Sequence, residues 1–178
     1  MKTINILESN PSLEKDVSLF KLVLTPLELF IFKIFLRDKQ PISIGHIYTE
    51  LMVTIGNVIF FKTKEDSQGD FYKTLINTEY LNVLINEENL NQSQKEVSNL
   101  IKESPAMSLT NLSRFYYIKL KNLNCKVPSY DKVKRIVEKF VNLGIFTFRG
   151  KEGKSLLYTI NPIFDNKFKD DYAEILKL

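Results

Sequence analysis

Apolar residues recur at helical spacing in six stretches of the chain, and the spacing changes to that of strands near residue 145. The six stretches predict helices at about residues 25–37, 43–59, 71–85, 93–103, 109–123 and 129–142. Residues 145–148 and 156–160 are rich in β-forming side chains and flank a Gly-rich turn at 150–153, which predicts a β-hairpin. The pattern as a whole predicts a mostly α protein with a small β-hairpin, in the α+β class.

Capping residues mark the start of the first and the last of these helices. Thr25, Pro26 and Glu28 form the signature of a capping box, in which the Thr hydroxyl and the Glu carboxylate each accept a backbone N–H. Ser129 is a good N-cap, and Asp131 in the following turn meets the positive end of the helix dipole. We therefore expect two well-defined helices, one near each end of the chain.

The flanking segments carry weaker patterns. Residues 1–16 are polar and include an Asn-Pro step, which favours a loosely ordered lead-in, and residues 17–24 are expected to form a short extended segment. Ile42 is expected to form a strand of one or two residues before the second helix. Residues 165–178 are expected to form a short terminal helix.

Basic residues are concentrated in one part of the chain. Residues 104–154 hold eleven Lys and Arg against three acidic residues, a local excess of +8, and because the whole chain carries +4 the remainder carries −4. Such segregation gives one part of the molecule a positive field that favours polyanions. Cations that cluster on a solvated face without binding a polyanion would give the same composition, so this alternative stays open.

The remaining composition, 44% apolar and 26% charged, is that of an ordinary globular protein. One cysteine, Cys125, cannot form an internal disulfide, which favours a reducing, intracellular setting. Lys33 and Lys62 interrupt the longest apolar runs, and acidic residues lie near the N-terminus. We therefore expect neither a membrane span nor an export signal, and a cytoplasmic location.

The last helix and the hairpin follow each other in an order that resembles the winged helix-turn-helix family of DNA-binding domains. In that family a recognition helix is followed directly by a two-stranded wing. The resemblance covers roughly residues 24–52 and 126–162, and it implies a winged helix with double-stranded DNA as its partner. The motifs that carry it are LTPLE (24–28), PISI (41–44), IYTEL (47–51), PSYDKVKRIV (128–137) and FVNLGIF (140–146).

The chain departs from the family between the second helix and the recognition helix, where about 70 residues replace a short turn. We favour a winged helix with an inserted helical segment; the alternative takes residues 109–123 instead of 43–52 as the second helix. The predicted parts are an N-terminal extension (1–23), the first two helices of the winged helix (24–61), a helical insertion that could serve homodimerisation (62–125), the recognition helix and wing (126–162) and a C-terminal tail (163–178).

The candidate DNA contacts lie on the recognition helix and the wing. The apolar side of the helix forms one stripe, and its charged side chains face away, where an exposed helix fits the major groove. Arg135 is the best base-reading candidate because its planar fork bonds two acceptors of a guanine, and Glu138 can accept from a cytosine. Backbone contacts are expected from Ser129, Tyr130, Lys132, Lys134 and Lys139 and, at the wing tip, from Arg149, Lys151 and Lys154.

The sequence gives only weak signals for metal binding, thiol chemistry, nucleotide binding or nuclease activity. His46 has neither a Cys nor a second His to form a metal site with, and a plain turn cysteine is favoured over a reactive thiol at Cys125. Residues 150–155 end in Gly-Lys-Ser but lack the first Gly of a phosphate loop and lie between two strands. Acidic neighbours at 87–88 and 170–171 point in different directions on a helix. We therefore expect no enzyme, no metal and no cofactor.

The predicted function is sequence-specific binding of double-stranded DNA, most simply by a transcription regulator that acts as a homodimer. A replication or segregation factor with the same fold is one alternative, and a winged-helix module that docks on other proteins is another. Aromatic and basic residues are interleaved at 114–121, as in single-strand binders, but helical spacing assigns Tyr116 to the core and leaves Phe115 or Tyr117 exposed.

Overall fold

The computed structural model describes residues 2–9, 17–61 and 87–168, and it describes side chains for residues 24–61 and 87–166. The helices of this part of the chain are α1 (Pro26–Arg37), α2 (Ile44–Phe61), α3 (Glu87–Glu103), α4 (Leu109–Asn122), α5 (Tyr130–Asn142) and α6 (Pro162–Phe168). The strands are β1 (Lys2–Ser9), β2 (Val17–Leu24), β3 (Ile42–Ser43), β4 (Phe146–Glu152) and β5 (Ser155–Ile160). The helix predicted at 71–85 and the C-terminal residues after 168 lie outside the described residues.

The predicted fold class is confirmed: the protein is mostly α, with a small antiparallel sheet in a winged-helix-like arrangement. Strands β4 and β5 form the predicted hairpin, and β3 adds a third strand on the other side of β5, in the order β3-β5-β4. Ile42 lies opposite Tyr158, and Ser43 opposite Leu157. The short strand predicted at Ile42 therefore connects the segment before α2 to the hairpin.

The prediction for the N-terminal segment was wrong over residues 2–9. Instead of a loosely ordered lead-in, these residues form β1, which pairs antiparallel with β2 from Lys2 opposite Leu24 to Ser9 opposite Val17. Pairing gives the backbone groups of both segments hydrogen-bond partners, and an antiparallel ribbon tolerates polar side chains on one face. The extended segment predicted at 17–24 is confirmed as β2.

Three further boundaries differ from the prediction. Helix α3 begins at Glu87 instead of near residue 93, and α6 begins at Pro162 instead of near 165. The turn expected over residues 150–153 is tighter, because Glu152 already pairs with Ser155. Gly153, with φ 58°, is the first of two turn residues, a position where a tight hairpin turn favours Gly.

Helix α2 is the centre of the core, and α4 packs closely against it. A Cβ atom at Gly56 would lie 2.1 Å from Cδ2 of Tyr116, so the two helices can approach this closely only because residue 56 has no side chain. Tyr116 is fully buried, and its hydroxyl donates a hydrogen bond to Oδ1 of Asn57 at 2.9 Å. The described part of the predicted insertion therefore shares one core with the helices and sheet on either side of it.

Helix α2 is also the one described helix that is long and apolar enough to cross a membrane, judged by length and composition. Its residues Ile47, Leu51 and Ile55 are buried within the chain, and the helix contacts α3, α4, α5 and the sheet. The apolar character of α2 is thus used in packing the protein core.

Helix α3 is attached to this core by apolar and polar contacts. Val97 is fully buried. Nε2 of Gln94 donates to the carbonyl oxygen of Ile59 at 3.2 Å, and Lys119 of α4 forms an ion pair with Glu96. The apolar stripe of α3 is therefore directed into the chain's own core.

An aromatic cluster connects α1, α5 and the first strand of the hairpin. The ring centroid of Phe146 lies 3.9 Å from that of Phe35, 4.9 Å from that of Phe140 and 6.2 Å from that of Phe32. Phe140 and Phe146 are almost fully buried. Large aromatic side chains contribute much of the stability of a core, so this cluster fixes α5 and the hairpin on the same support.

Candidate nucleic-acid interface

Local capping and burial position helix α5. The Oγ atom of Ser129 accepts the backbone N–H of Lys132 at 3.1 Å, which confirms the predicted N-cap. Val133, Ile136, Val137 and Phe140 form the buried side of the helix, as the spacing predicts. Because these side chains fix the rotation of the helix about its axis, the residues between them are directed to solvent.

The outer face of α5 carries exposed cations. All ten residues predicted to contact DNA are exposed, on α5, at its N-cap or on the hairpin. Arg135 has no ion-pair or hydrogen-bond partner among the described residues. Nζ of Lys134 lies 3.8 Å from Oε1 of Glu138, one turn further along the helix, in an exposed pair. Exposed pairs of this kind contribute little free energy, so both side chains can exchange partners at low cost.

Lys139 has a structural partner that is distant in the sequence and could not be predicted from it. Its Nζ atom lies 2.7 Å from Oε1 of Glu28, whose side chain is only 9% exposed. Oε2 of the same carboxylate accepts the backbone N–H of Thr25 at 2.8 Å, in the predicted capping box. Burial raises the pKa of Glu28, but the hydrogen bonds from Lys139 and Thr25 outweigh it, so this pKa lies below its usual value. Lys139 therefore connects α5 to the start of α1.

The hairpin presents three cations near its turn. Lys151 and Lys154 are exposed and have no ion-pair partner within the described part of the chain. Arg149 is the extra residue of the β-bulge between Phe148 and Gly150, and its Nε donates to Oγ1 of Thr159 at 3.1 Å. This bond fixes the stem of Arg149 along the hairpin.

The hairpin lies next to α5, and its strand β4 contacts the helix directly. Tyr158, in the central strand β5, has its pKa raised by burial, then by the charge of Glu138, and finally by Tyr130. Both Glu138 and Tyr130 belong to α5, and electrostatic effects of this kind act over short distances. The cations of α5 and those of the hairpin thus belong to two adjacent elements.

A cleft beside the N-terminal end of α5 was not predicted from the sequence. It has a volume of about 470 Å³ and lies between α2 and α4. Its lining residues are Tyr48, Thr49, Met52, Thr110, Ser113, Arg114, Tyr117 and Ile118.

The cleft meets α5 through a pair of tyrosines. The ring of Tyr48 packs edge-on against that of Tyr130, the first residue of α5, with a centroid separation of 5.8 Å. Arg114 and Tyr117 lie in a segment that the sequence marks by its mixture of aromatic and basic residues. Tyr48, which brings the cleft next to α5, carries no such signal.

The residues considered for metal binding and for thiol reactivity have structural roles. His46 is on the surface, with Nε2 3.2 Å from Oδ2 of Asp38. Cys125 is buried, and burial raises the pKa of its thiol, which disfavours the reactive thiolate. Among the described residues, His, Cys, Asp and Glu side chains form no group of three or more that could hold a metal ion.

Comparison with known proteins gives no relative for this chain. It matches no protein-family model, no curated protein and no solved structure. Function is therefore inferred from the fold and the residues themselves.

Proposed function

We propose that the protein binds double-stranded DNA in a sequence-specific manner through α5 and the β4–β5 hairpin, as a transcription regulator. The observation that supports this most strongly is the exposed outer face of α5, where Arg135 has no partner among the described residues. An α-helix fits the major groove, and a free guanidinium is the side chain best suited to bond the two acceptors of a guanine.

The remaining contacts are assigned by chemistry. Lys132 and Lys134 are suited to phosphates, and so are Ser129 and Tyr130, because the start of a helix attracts anions. Arg149, Lys151 and Lys154 on the hairpin are placed to reach the backbone or an adjacent minor groove. Glu138, next to Lys134, accepts from a cytosine in this scheme.

Lys139 is given a supporting role in the proposal. Because its Nζ atom is bonded to the nearly buried Glu28, a phosphate contact by Lys139 requires the loss of that ion pair. Leaving Glu28 without its partner would cost free energy. We propose that Lys139 holds α5 at a fixed angle on α1 while the neighbouring cations meet the duplex.

A titration of a fluorescently labelled pool of mixed-sequence duplexes tests the proposal. We expect binding at low salt, and we expect Arg135→Ala combined with Lys151→Ala to weaken it about 10-fold or more. The matched control removes two exposed cations of α3, with Lys95→Ala and Lys102→Ala, and should change the affinity less than about 3-fold. Equal losses in the two double variants, or no binding at low salt, would contradict the proposal.

Sequence specificity needs a second experiment. Selection of bound fragments from a random duplex library should enrich one motif, and Arg135→Ala should relax the preference at one base pair of that motif. An unenriched pool that still binds would favour a replication or segregation factor that reads DNA without a preferred site. A chain that binds no duplex would favour the alternative of docking on another protein.

Homodimerisation and a cytoplasmic location complete the proposal. A two-fold dimer doubles the contact area and matches a palindromic site. In the described part of the predicted dimerisation segment, Val97 is used within the chain's own core. Sedimentation of the full chain with and without duplex would measure the oligomeric state directly.

A further inference from the structure

The cleft between α2 and α4 combines an apolar interior with one unused cation. Met52 at its base is almost fully buried, while Tyr117 and Ile118 on α4 are 38% and 55% exposed. Exposed large apolar side chains around a concave surface are typical of a ligand site. A volume of about 470 Å³ is within the range of pockets for small molecules.

Arg114 is the charged side chain among the residues that line the cleft. It is exposed and has no ion pair or hydrogen bond among the described residues. The hydroxyl of Ser113, by contrast, already donates to the carbonyl oxygen of Thr110 at 2.9 Å. A guanidinium at an apolar cleft is complementary to a carboxylate, which it binds through two parallel hydrogen bonds.

The geometry points to a binding site for a small organic acid with an apolar or aromatic body. We infer that the carboxylate of this ligand pairs with Arg114 while its body packs between the rings of Tyr48 and Tyr117, over Met52. The Tyr48 phenol is protonated near neutral pH, as phenols ordinarily are, so its O–H can donate to the ligand. Burial, and then Tyr117, raise its pKa further.

The position of the cleft couples it to the proposed DNA interface, and this step rests on the proposed function. Tyr48 lines the cleft and packs on Tyr130 at the start of α5, so a ligand that contacts Tyr48 affects the position of Tyr130. This coupling makes duplex binding weaker when the acid is bound, and by linkage the duplex weakens binding of the acid equally.

Binding to the cleft can be tested without DNA. The probe is 2-naphthoate, whose fluorescence anisotropy can be followed cleanly because the chain contains no Trp. We expect saturable binding of one naphthoate per chain with a Kd on the order of 1 mM or tighter. The neutral analogue 2-naphthalenemethanol should bind about 10-fold more weakly.

Two variants locate the site. Arg114→Met keeps an unbranched apolar stem and removes the guanidinium with its charge, and it should weaken naphthoate binding about 10-fold or more. Thr110→Phe, an exposed position at the edge of the cleft, should fill the space without adding a Trp and abolish binding of both probes. Lys95→Met on α3 is the control for loss of an exposed cation and should leave binding unchanged. Circular dichroism should be the same for all variants, since all three positions are exposed or at the edge of the cleft.

The results separate this inference from the proposed function. Absence of naphthoate binding, or binding that survives both cleft variants, would overturn the site whether or not the chain binds DNA. Saturating naphthoate should weaken duplex binding about 5-fold or more relative to the same concentration of acetate, and Arg114→Met should abolish this effect. Equal duplex affinity in naphthoate and acetate would overturn the coupling. A chain that binds naphthoate as described but no duplex would refute the proposed function and leave the site standing.

Discussion

Helices α4 and α5 begin alike and pack alike, but they present different chemistry to solvent. Each starts at a Ser whose Oγ accepts the N–H three residues on, and each packs its apolar side on α2. The outer face of α5 carries Lys and Arg, whereas that of α4 interleaves Arg114 with exposed Leu109, Tyr117 and Ile118. The same local signals thus support a surface for a polyanion in one helix and a surface for an amphipathic anion in the other.

The largest expected effect comes from disturbing α2, the helix on which both α4 and α5 pack. Gly56→Ala places a Cβ against the buried ring of Tyr116, and we expect a loss of about 3 kcal/mol in the free energy of unfolding. Urea denaturation measures it. Gly45→Ala is the matched control, because the nearest heavy atom, Oγ of Ser43, would lie 3.6 Å away. Equal stability of the two variants would show that α2 and α4 are not closely packed.

The second prediction tests whether the outer faces of α5 and α4 differ in their contribution to DNA binding. Arg135→Ala should cost about 2 kcal/mol in affinity for the selected duplex, because a two-bond contact to a base is lost. Arg114→Ala removes the same charge from α4 and should cost less than about 0.5 kcal/mol in the absence of an organic acid. Fluorescence anisotropy measures both affinities. If Arg114→Ala is the more damaging change, the roles given to the two helices are reversed.

The third prediction concerns the ion pair that holds α5 on α1. Glu28→Gln should lower the free energy of unfolding by about 1–2 kcal/mol near neutral pH, because a nearly buried carboxylate loses its pairing with Lys139. Glu138→Gln in the exposed pair with Lys134 should cost less than about 0.5 kcal/mol.

The pH dependence of that effect follows from the lowered pKa of Glu28. A carboxyl group with a lower pKa in the folded state contributes stability that is present above its unfolded-state pKa and lost as the pH falls through the folded-state pKa. The difference between the parent protein and Glu28→Gln should therefore be constant from about pH 6 to 8 and shrink below about pH 4.5. A difference that persists unchanged at pH 3 would contradict the ion pair.

Much of α5 and the hairpin could be predicted from the sequence because their signals are local. The Ser129 cap, the stripe from Val133 to Phe140 and the turn at Gly153 are each set by residues close together in the chain. The cleft and the ion pair between Lys139 and Glu28 could not be predicted, because the residues that form them are distant in sequence and meet only through tertiary packing. The strand β1 was missed for the same reason, since its pairing with β2 decides its structure.

The smallest expected effect compares the two helix caps. Ser108→Ala and Ser129→Ala should each cost about 1 kcal/mol in the free energy of unfolding, since each removes a side-chain acceptor from a helix start. Only Ser129→Ala should also weaken duplex binding, by about 2- to 5-fold, because Ser129 starts the helix that meets DNA. Equal effects of both variants on binding would mean that the cap acts only through stability.

The salt dependence of duplex binding tests the central claim most directly. The logarithm of the association constant should fall linearly with the logarithm of the salt concentration, by about 0.9 for each phosphate contacted. Combining Lys134→Ala with Lys151→Ala, one cation from α5 and one from the hairpin, should reduce that slope by about 1.8. A slope that the double variant leaves unchanged would show that DNA does not meet α5 and the hairpin together.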